Sequence, residues 1–259
     1  MLLSILLDSD LDFGYKILQL LLCVIAVLPA ITFHEWAHGF AAYKLGDSTA
    51  KADGRLSLNP LDHLDPFGSL MLLLFGFGWA KPVPVNTRYF KKPKRDFAIT
   101  SLAGPVANFV LALISGLLFF FFLFITGENN LMDNKTVEAI TDIFFYSMVM
   151  NVGFGTFNLI PVPPLDGSNI LMGILPQKAA VQYSKIRYYT RYIFLAILIL
   201  TWLPEPLDVV GEWIFWPLNQ LRLLFMRGIT DLWQIVFSPM FSATAEYVVK
   251  IFLTLVYGI

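Results

Sequence analysis

The chain has 259 residues, of which 57% are hydrophobic and only 14% charged, and its formal net charge is −1. Soluble domains carry about 25% charged residues, so this composition argues against a soluble globular protein, and equally against disorder, which needs low hydrophobicity and high charge. The charge balance gives no basis for a nucleic-acid partner, and the single cysteine, Cys23, excludes an internal disulfide and a cysteine-rich zinc cage.

The N-terminus, MLLSILLDSDLDFG, has Asp8, Asp10 and Asp12 in place of the positive n-region of a signal peptide. The first long apolar stretch is therefore expected to be a retained helix. A transmembrane helix needs about 20 largely apolar residues. Segment 16–43 has the length, although Thr32, His34, Glu35 and His38 interrupt its second half. Segment 66–80 is apolar but too short to cross as a helix, and it contains Gly68, Gly76 and Gly78. It suits a re-entrant loop or hairpin. Segments 97–126 and 137–160 qualify as spans, and 189–203 is shorter. Beyond residue 204, segments 207–225 and 229–258 are apolar and aromatic but broken by Pro217 and Pro239, consistent with one or two further spans or interfacial helices.

Lys and Arg gather in three runs, 44–65, 81–95 and 178–191, whereas the N-terminal tail and the loops 127–136 and 204–212 are acidic or nearly uncharged. Cytoplasmic loops are the basic ones. If segment 66–80 does not cross, all three basic runs share one side. This predicts a cell-membrane protein with the N-terminus outside, basic loops in the cytoplasm, and a site opening toward the cytoplasmic half.

The chemistry concentrates in His34-Glu35-Trp36-Ala37-His38. Residues i and i+4 share a helix face, so both imidazoles can address one metal ion. Glu35 lies about 100° around the helix, near a metal-bound water but not ligating. This is the H-E-x-x-H zinc pattern, with the glutamate as general base. Three ionisable groups inside an apolar helix would be costly without a function. Catalytic zinc normally has three protein ligands, and two candidates exist for the third. His63 lies in NPLDHLDP. Asp166 lies in NLIPVPPLDG, where three prolines and Gly167 break the apolar stretch near its cytoplasmic end. Asp166 is preferred, because its depth matches that of His34 and His38.

Together, HEWAH at 34–38, NPLDHLDPFG at 59–68, GWAKPVPVN at 78–86, AGPVAN at 103–108 and NLIPVPPLDG at 158–167 resemble the site-2 proteases, the intramembrane zinc metalloproteases. The resemblance covers about residues 30 to 170. It implies an all-α polytopic membrane protein whose three-helix catalytic core has the HExxH helix first and the LDG helix third. A re-entrant membrane segment and additional C-terminal helices complete it. It implies one Zn2+ per chain on His34, His38 and Asp166, with Glu35 catalytic. Asn158, which opens the last motif, is the expected oxyanion donor or substrate-backbone contact. Asn108 is a second such candidate, although the small residues Ala103, Gly104 and Ala107 around it favour helix packing. No PDZ-like or CBS-like domain is visible, which places the chain with the compact, prokaryote-type branch.

The expected division is a metalloprotease core over 1–175 and C-terminal transmembrane or interfacial helices of unknown role over 176–259. The expected activity is hydrolysis of peptide bonds in transmembrane protein or peptide substrates within the bilayer, in regulated intramembrane proteolysis. Segment 66–86 is expected to offer an extended edge to the unwound substrate. The alternative is a non-cleaving, protease-like protein that binds partner transmembrane helices. A metal transporter is disfavoured, because transporters repeat their ligands across helices, whereas the histidines all lie within 34–63. Oligomeric state and substrate identity have no signal in the sequence.

Overall fold

The fold was analysed in a computed structural model, which describes residues 12–75, 78–128, 134–200 and 220–232. Every regular element among them is helical. Helix α1 spans Phe13–Lys44, α2 Thr49–Ala52, α3 Pro66–Phe75, α4 Pro93–Glu128, α5 Lys135–Asn158, α6 Asp166–Ile174 and α7 Gln177–Leu200. A further helix, α8, covers 220–232. Among the described residues, three helices, α1, α4 and α5, are long and apolar enough to cross a membrane. The expected spans at 16–43, 97–126 and 137–160 thus correspond to α1, α4 and α5. The stretch foreseen at 189–203 forms the second half of α7, which starts earlier, at Gln177. Most of the segments expected at 207–225 and 229–258 lie outside the described residues.

The chain divides into two compact units. Among the described residues, one holds those up to Ala30, those within Val110–Val152 and those from Leu223 on; the other holds those within Ile31–Phe109 and Gly153–Arg222. The first is built on a cluster of Ala112, Phe119, Phe120, Met148, Val152, Met226 and Ile229. Gly116 lets α8 approach α4 closely: a Cβ there would stand 2.6 Å from Ile229 Cγ2 and 3.0 Å from Met148 Sδ. Polar groups inside this unit are paired with one another. Ser115 and Ser147 hydroxyls lie 2.8 Å apart, Gln19 Nε2 donates to Asp142 at 3.3 Å, and the Tyr146 hydroxyl donates to Gln19 Oε1. Such pairing is what an apolar medium demands of buried polar atoms.

The second unit contains the segment that is too short to span. Its first part is helix α3, not extended chain, so an extended edge over the whole of 66–86 does not form. A ten-residue run of mostly large apolar side chains satisfies its backbone internally by coiling. The two ends of the excursion meet: Leu64 and Ala80 form an antiparallel bridge, and Lys81 N donates to His63 O at 2.9 Å. A Cβ on Gly68 would stand 2.1 Å from Trp79 O, so only glycine admits the returning chain. The two ends of the segment, at Leu64 and Ala80, therefore lie side by side.

After Asn158 the prolines at 161, 163 and 164 withhold backbone donors, and the chain runs through turns into α6. Gly167 allows this junction to be tight. A Cβ there would lie 2.2 Å from Leu159 O and 2.4 Å from Ile160 O. At the other end of α6, Gly173 lies against Ala98 of α4, and Lys94 Nζ donates to Leu175 O. These contacts set the position of the first residue of α6, Asp166.

Gly116→Leu places a branched side chain where Ile229 and Met148 already sit, and overpacking of this kind costs about 1–3 kcal/mol. The purified variant should unfold at a lower temperature than the parent in the same detergent. An unchanged midpoint would contradict the packing described for this unit.

Candidate metal centre

His34 and His38 lie one helical turn apart on α1, and Asp166 begins α6. The structure brings these three together. Nε2 of His34 and Nε2 of His38 are 3.1 Å apart, and Asp166 Oδ2 lies 3.1 Å from the first and 3.2 Å from the second. Among the described residues, these form a group of ligand-type side chains able to hold one metal ion.

The opposite edges of the two imidazoles explain the arrangement. His38 Nδ1 lies 2.7 Å from the Thr100 carbonyl oxygen, and His34 Nδ1 lies 2.6 Å from Asn108 Oδ1. A carbonyl only accepts, so His38 must donate from Nδ1, and the neutral ring then carries a lone pair on Nε2. The Asn108 oxygen imposes the same tautomer on His34. Between these two acceptors sits Gly104, where a Cβ would stand 2.5 Å from His38 Nε2 and 2.7 Å from His34 Cε1. Thr100, Gly104 and Asn108 are four residues apart along α4 and so form one stripe of that helix. Two acceptors at its ends splay the Nδ1 atoms apart, and the gap between them lets the Nε2 atoms converge.

Two lone pairs and a carboxylate oxygen thus meet at a common point. Asp166 Oδ2 is buried, and its polar neighbours are the two Nε2 atoms. Such a convergence is relieved by a proton or a metal ion placed within it. The spacing also fits: donors bound to a tetrahedral zinc stand about 3.3 Å apart. Nitrogen and carboxylate donors, with the outer ring nitrogens held by acceptors, are the donor set and the second layer expected of a zinc site.

Glu35 leaves α1 on a different face. Its Oε2 accepts a hydrogen bond of 3.0 Å from Val83 N, in the non-helical stretch between Ala80 and Thr87. Asn158 is half-buried and donates from Nδ2 to Phe154 O of its own helix at 3.1 Å. Asn108 is fully buried, with its side-chain oxygen engaged by His34. His63 is also fully buried but stands apart from the cluster: its Nε2 bonds Ser57 O at 2.8 Å, and its backbone N–H caps the short 3-10 turn Pro60–Asp62.

Residues 22–201 match Peptidase family M50. The chain belongs to this family. It is 38% identical over 219 residues to "Putative zinc metalloprotease YwhC" of Bacillus subtilis, covering 84% of this chain and 93% of that protein. It is 32% identical over 163 residues to "Putative zinc metalloprotease Rip2" of Mycolicibacterium smegmatis, covering 58% of this chain and 56% of the relative. A third relative, "Putative zinc metalloprotease MJ0611" of Methanocaldococcus jannaschii, is 28% identical over 159 residues, covering 61% and 73%. No solved structure matches the chain with significance. Membership of M50, the site-2 protease family, the relatives' names and three membrane-length helices together support a membrane zinc protease.

Several members of this site carry no motif signal of their own. The Thr100 carbonyl and the Val83 amide are backbone groups, invisible in side-chain chemistry. The small residues Ala103, Gly104 and Ala107 around Asn108 were legible, but they pointed to packing between helices rather than beneath two imidazoles.

Deleting the acceptor or filling the gap should both weaken the site. Asn108→Ala and Gly104→Ala are each expected to lower zinc affinity by roughly 10–100-fold, the usual effect of second-layer changes, as measured by competition with a chromogenic chelator. Affinity equal to the parent's in both variants would contradict the roles described here.

Proposed function

We propose that this chain is an intramembrane zinc endopeptidase that hydrolyses peptide bonds of transmembrane protein or peptide substrates. The observation that carries this reading is the convergence of His34 Nε2, His38 Nε2 and Asp166 Oδ2 on one point beside Glu35. His34, His38 and Asp166 would hold a single zinc. When bound there, zinc supplies Lewis acidity, making a water more acidic and the scissile carbonyl more electrophilic.

The remaining steps belong to the chain's own side chains. Glu35 takes a proton from the attacking water and returns it to the leaving amine nitrogen, as a general base and then acid. With Oε2 committed to the Val83 amide, Oε1 is the oxygen available for this transfer. With Nδ1 of the two rings turned to Asn108 and Thr100, Nε2 of the neutral tautomer is the nitrogen that His34 and His38 offer to the metal. Asn158, at the end of α5, is our candidate for donating to the developing oxyanion. Asn108 acts one layer further out, by orienting His34. A helical substrate must unwind before its carbonyls can react, and the non-helical residues 78–86 are the part of the hairpin suited to receive it. We assign the catalytic core to residues 1–175, leave 176–259 as accessory helices, and place the enzyme in regulated intramembrane proteolysis.

Glu35→Gln should retain zinc in equimolar amount yet lose peptide cleavage by about 10²–10⁴-fold, read with a fluorescent unfolded substrate in detergent. Chelation should abolish the parent's activity and added zinc restore it. If Glu35→Gln cleaves normally, the base is misassigned. If the parent with full zinc cuts neither this substrate nor any transmembrane protein accumulating in Glu35→Gln membranes, the non-cleaving alternative holds.

The orientation is tested separately. With Cys23 replaced by serine, a cysteine at Lys91 should react with a membrane-impermeant maleimide only in inverted vesicles. Reaction in intact cells would reverse the topology.

A further inference from the structure

The stretch between Ala80 and Thr87 is pinned at both ends. Lys81 N donates to His63 O, and Lys81 O accepts from Arg55 Nη2 at 2.8 Å. Asn86 N donates to Asp47 Oδ2 at 2.6 Å. Between these anchors Pro82 and Pro84 have no N–H, so Val83 supplies the one backbone donor of residues 82–84, and it is directed at Glu35. The Val83 side chain is buried against Gly39, one turn after Glu35 on α1, where a Cβ would stand 3.1 Å from Val83 Cγ1. The strap therefore lies on the Glu35 side of α1.

Asp47 has two oxygens with two separate tasks. Oδ1 accepts locally, from the Thr49 backbone N–H at 3.0 Å and the Thr49 hydroxyl, and shapes the turn after α1. Oδ2 reaches 39 residues along the chain to Asn86. The side chain is wholly buried, where a carboxylate is tolerated only with such donors around it. A local turn would need only the first oxygen.

We propose that Asp47 is a positioning residue for the reaction: it anchors the strap at Asn86, and the strap presents the Val83 amide that fixes the orientation of Glu35. This inference rests on the proposed role of Glu35 as the base. Asp47 touches neither substrate nor metal ligands. Its effect is to keep the Glu35 carboxylate from rotating away from the water that it must deprotonate.

The chemistry of the two oxygens suggests the test. Asp47→Asn can retain its amide oxygen toward Thr49 while turning an NH2 group toward the Asn86 N–H, donor against donor. It keeps the turn and breaks the link. Thr49→Val removes the local hydroxyl and leaves the link alone. Val83→Pro deletes the amide at Glu35 itself. The full-length variants are compared in detergent on fluorescein-labelled casein, an unfolded substrate with no helix to unwind, with zinc content and unfolding temperature measured alongside.

Asp47→Asn should lower kcat by at least about tenfold, as small misplacements of catalytic groups do, with KM within twofold of the parent and zinc content unchanged. Val83→Pro should fall at least as far, and Thr49→Val should keep kcat. Four results would overturn the proposal: kcat of Asp47→Asn within twofold of the parent, a loss confined to KM, a loss of zinc, or equal losses in Asp47→Asn and Thr49→Val. If Asp47→Asn does not fold, Asn86→Pro, which deletes the N–H of the same link from its other partner, is held to the same kcat, KM and zinc criteria. Full turnover by Glu35→Gln would instead refute the base assignment beneath it, whereas an inactive Glu35→Gln beside a fully active Asp47→Asn would refute only the strap.

Discussion

Everything at this site depends on which nitrogen of each imidazole is held. A histidine ring has two, and in the neutral ring one donates while the other accepts. Because an oxygen of α4 engages Nδ1 of both His34 and His38, both Nε2 atoms carry lone pairs, and they lie 3.1 Å apart. Asp166 brings a third electron-pair donor to the same point. Such an arrangement is unfavourable by itself and becomes favourable around a cation. The contacts that orient these three side chains lie largely one layer behind them, on α4.

Helix α1 can serve this site because its faces have different work. The His34 and His38 face looks onto the Thr100, Gly104 and Asn108 stripe of α4. The face with Glu35 and Gly39 looks onto the strap after the re-entrant hairpin. Residues one apart differ by about 100° around a helix, so adjacent His34 and Glu35 can be held independently by different parts of the chain. Glycine recurs where these parts must approach closely. Gly104 lies under the imidazoles, Gly39 under Val83, Gly68 against Trp79 and Gly167 against the carbonyls that end α5. In each case a methyl group would occupy space already taken by a site element or its immediate support.

Much of this was legible in the amino-acid order. Apolar length marked α1, α4 and α5, the i, i+4 spacing put two histidines on one face, and prolines before Asp166 broke the chain where a ligand was needed. The short apolar segment with glycines suggested a hairpin, and its ends do pair at Leu64 and Ala80, although its first half coils into α3. Other features had no signal at this level. The sequence favoured Asp166 over His63 as third partner by depth alone; the contact of Asp166 Oδ2 with both rings, and of His63 Nε2 with Ser57 O, appears only in the fold. Asn108 reads as packing among small residues, because nothing local says that its oxygen meets a histidine 74 positions earlier. The pairing of Gln19 with Asp142 and Tyr146 is equally long-range.

Sequence alone determined which residues can do chemistry, because an apolar chain has few polar side chains and periodicity decides which of them share a helix face. It also marked the short segment as too short to cross as a helix, since ten to fifteen residues are too few for the hydrocarbon thickness. Only the tertiary structure decided which polar groups meet. Tautomer, carboxylate orientation and the convergence of three donors depend on backbone carbonyls and amides, such as those of Thr100 and Val83. Every residue but proline offers both groups, so residue identity cannot say which of them faces the site; that is set by how the helices pack.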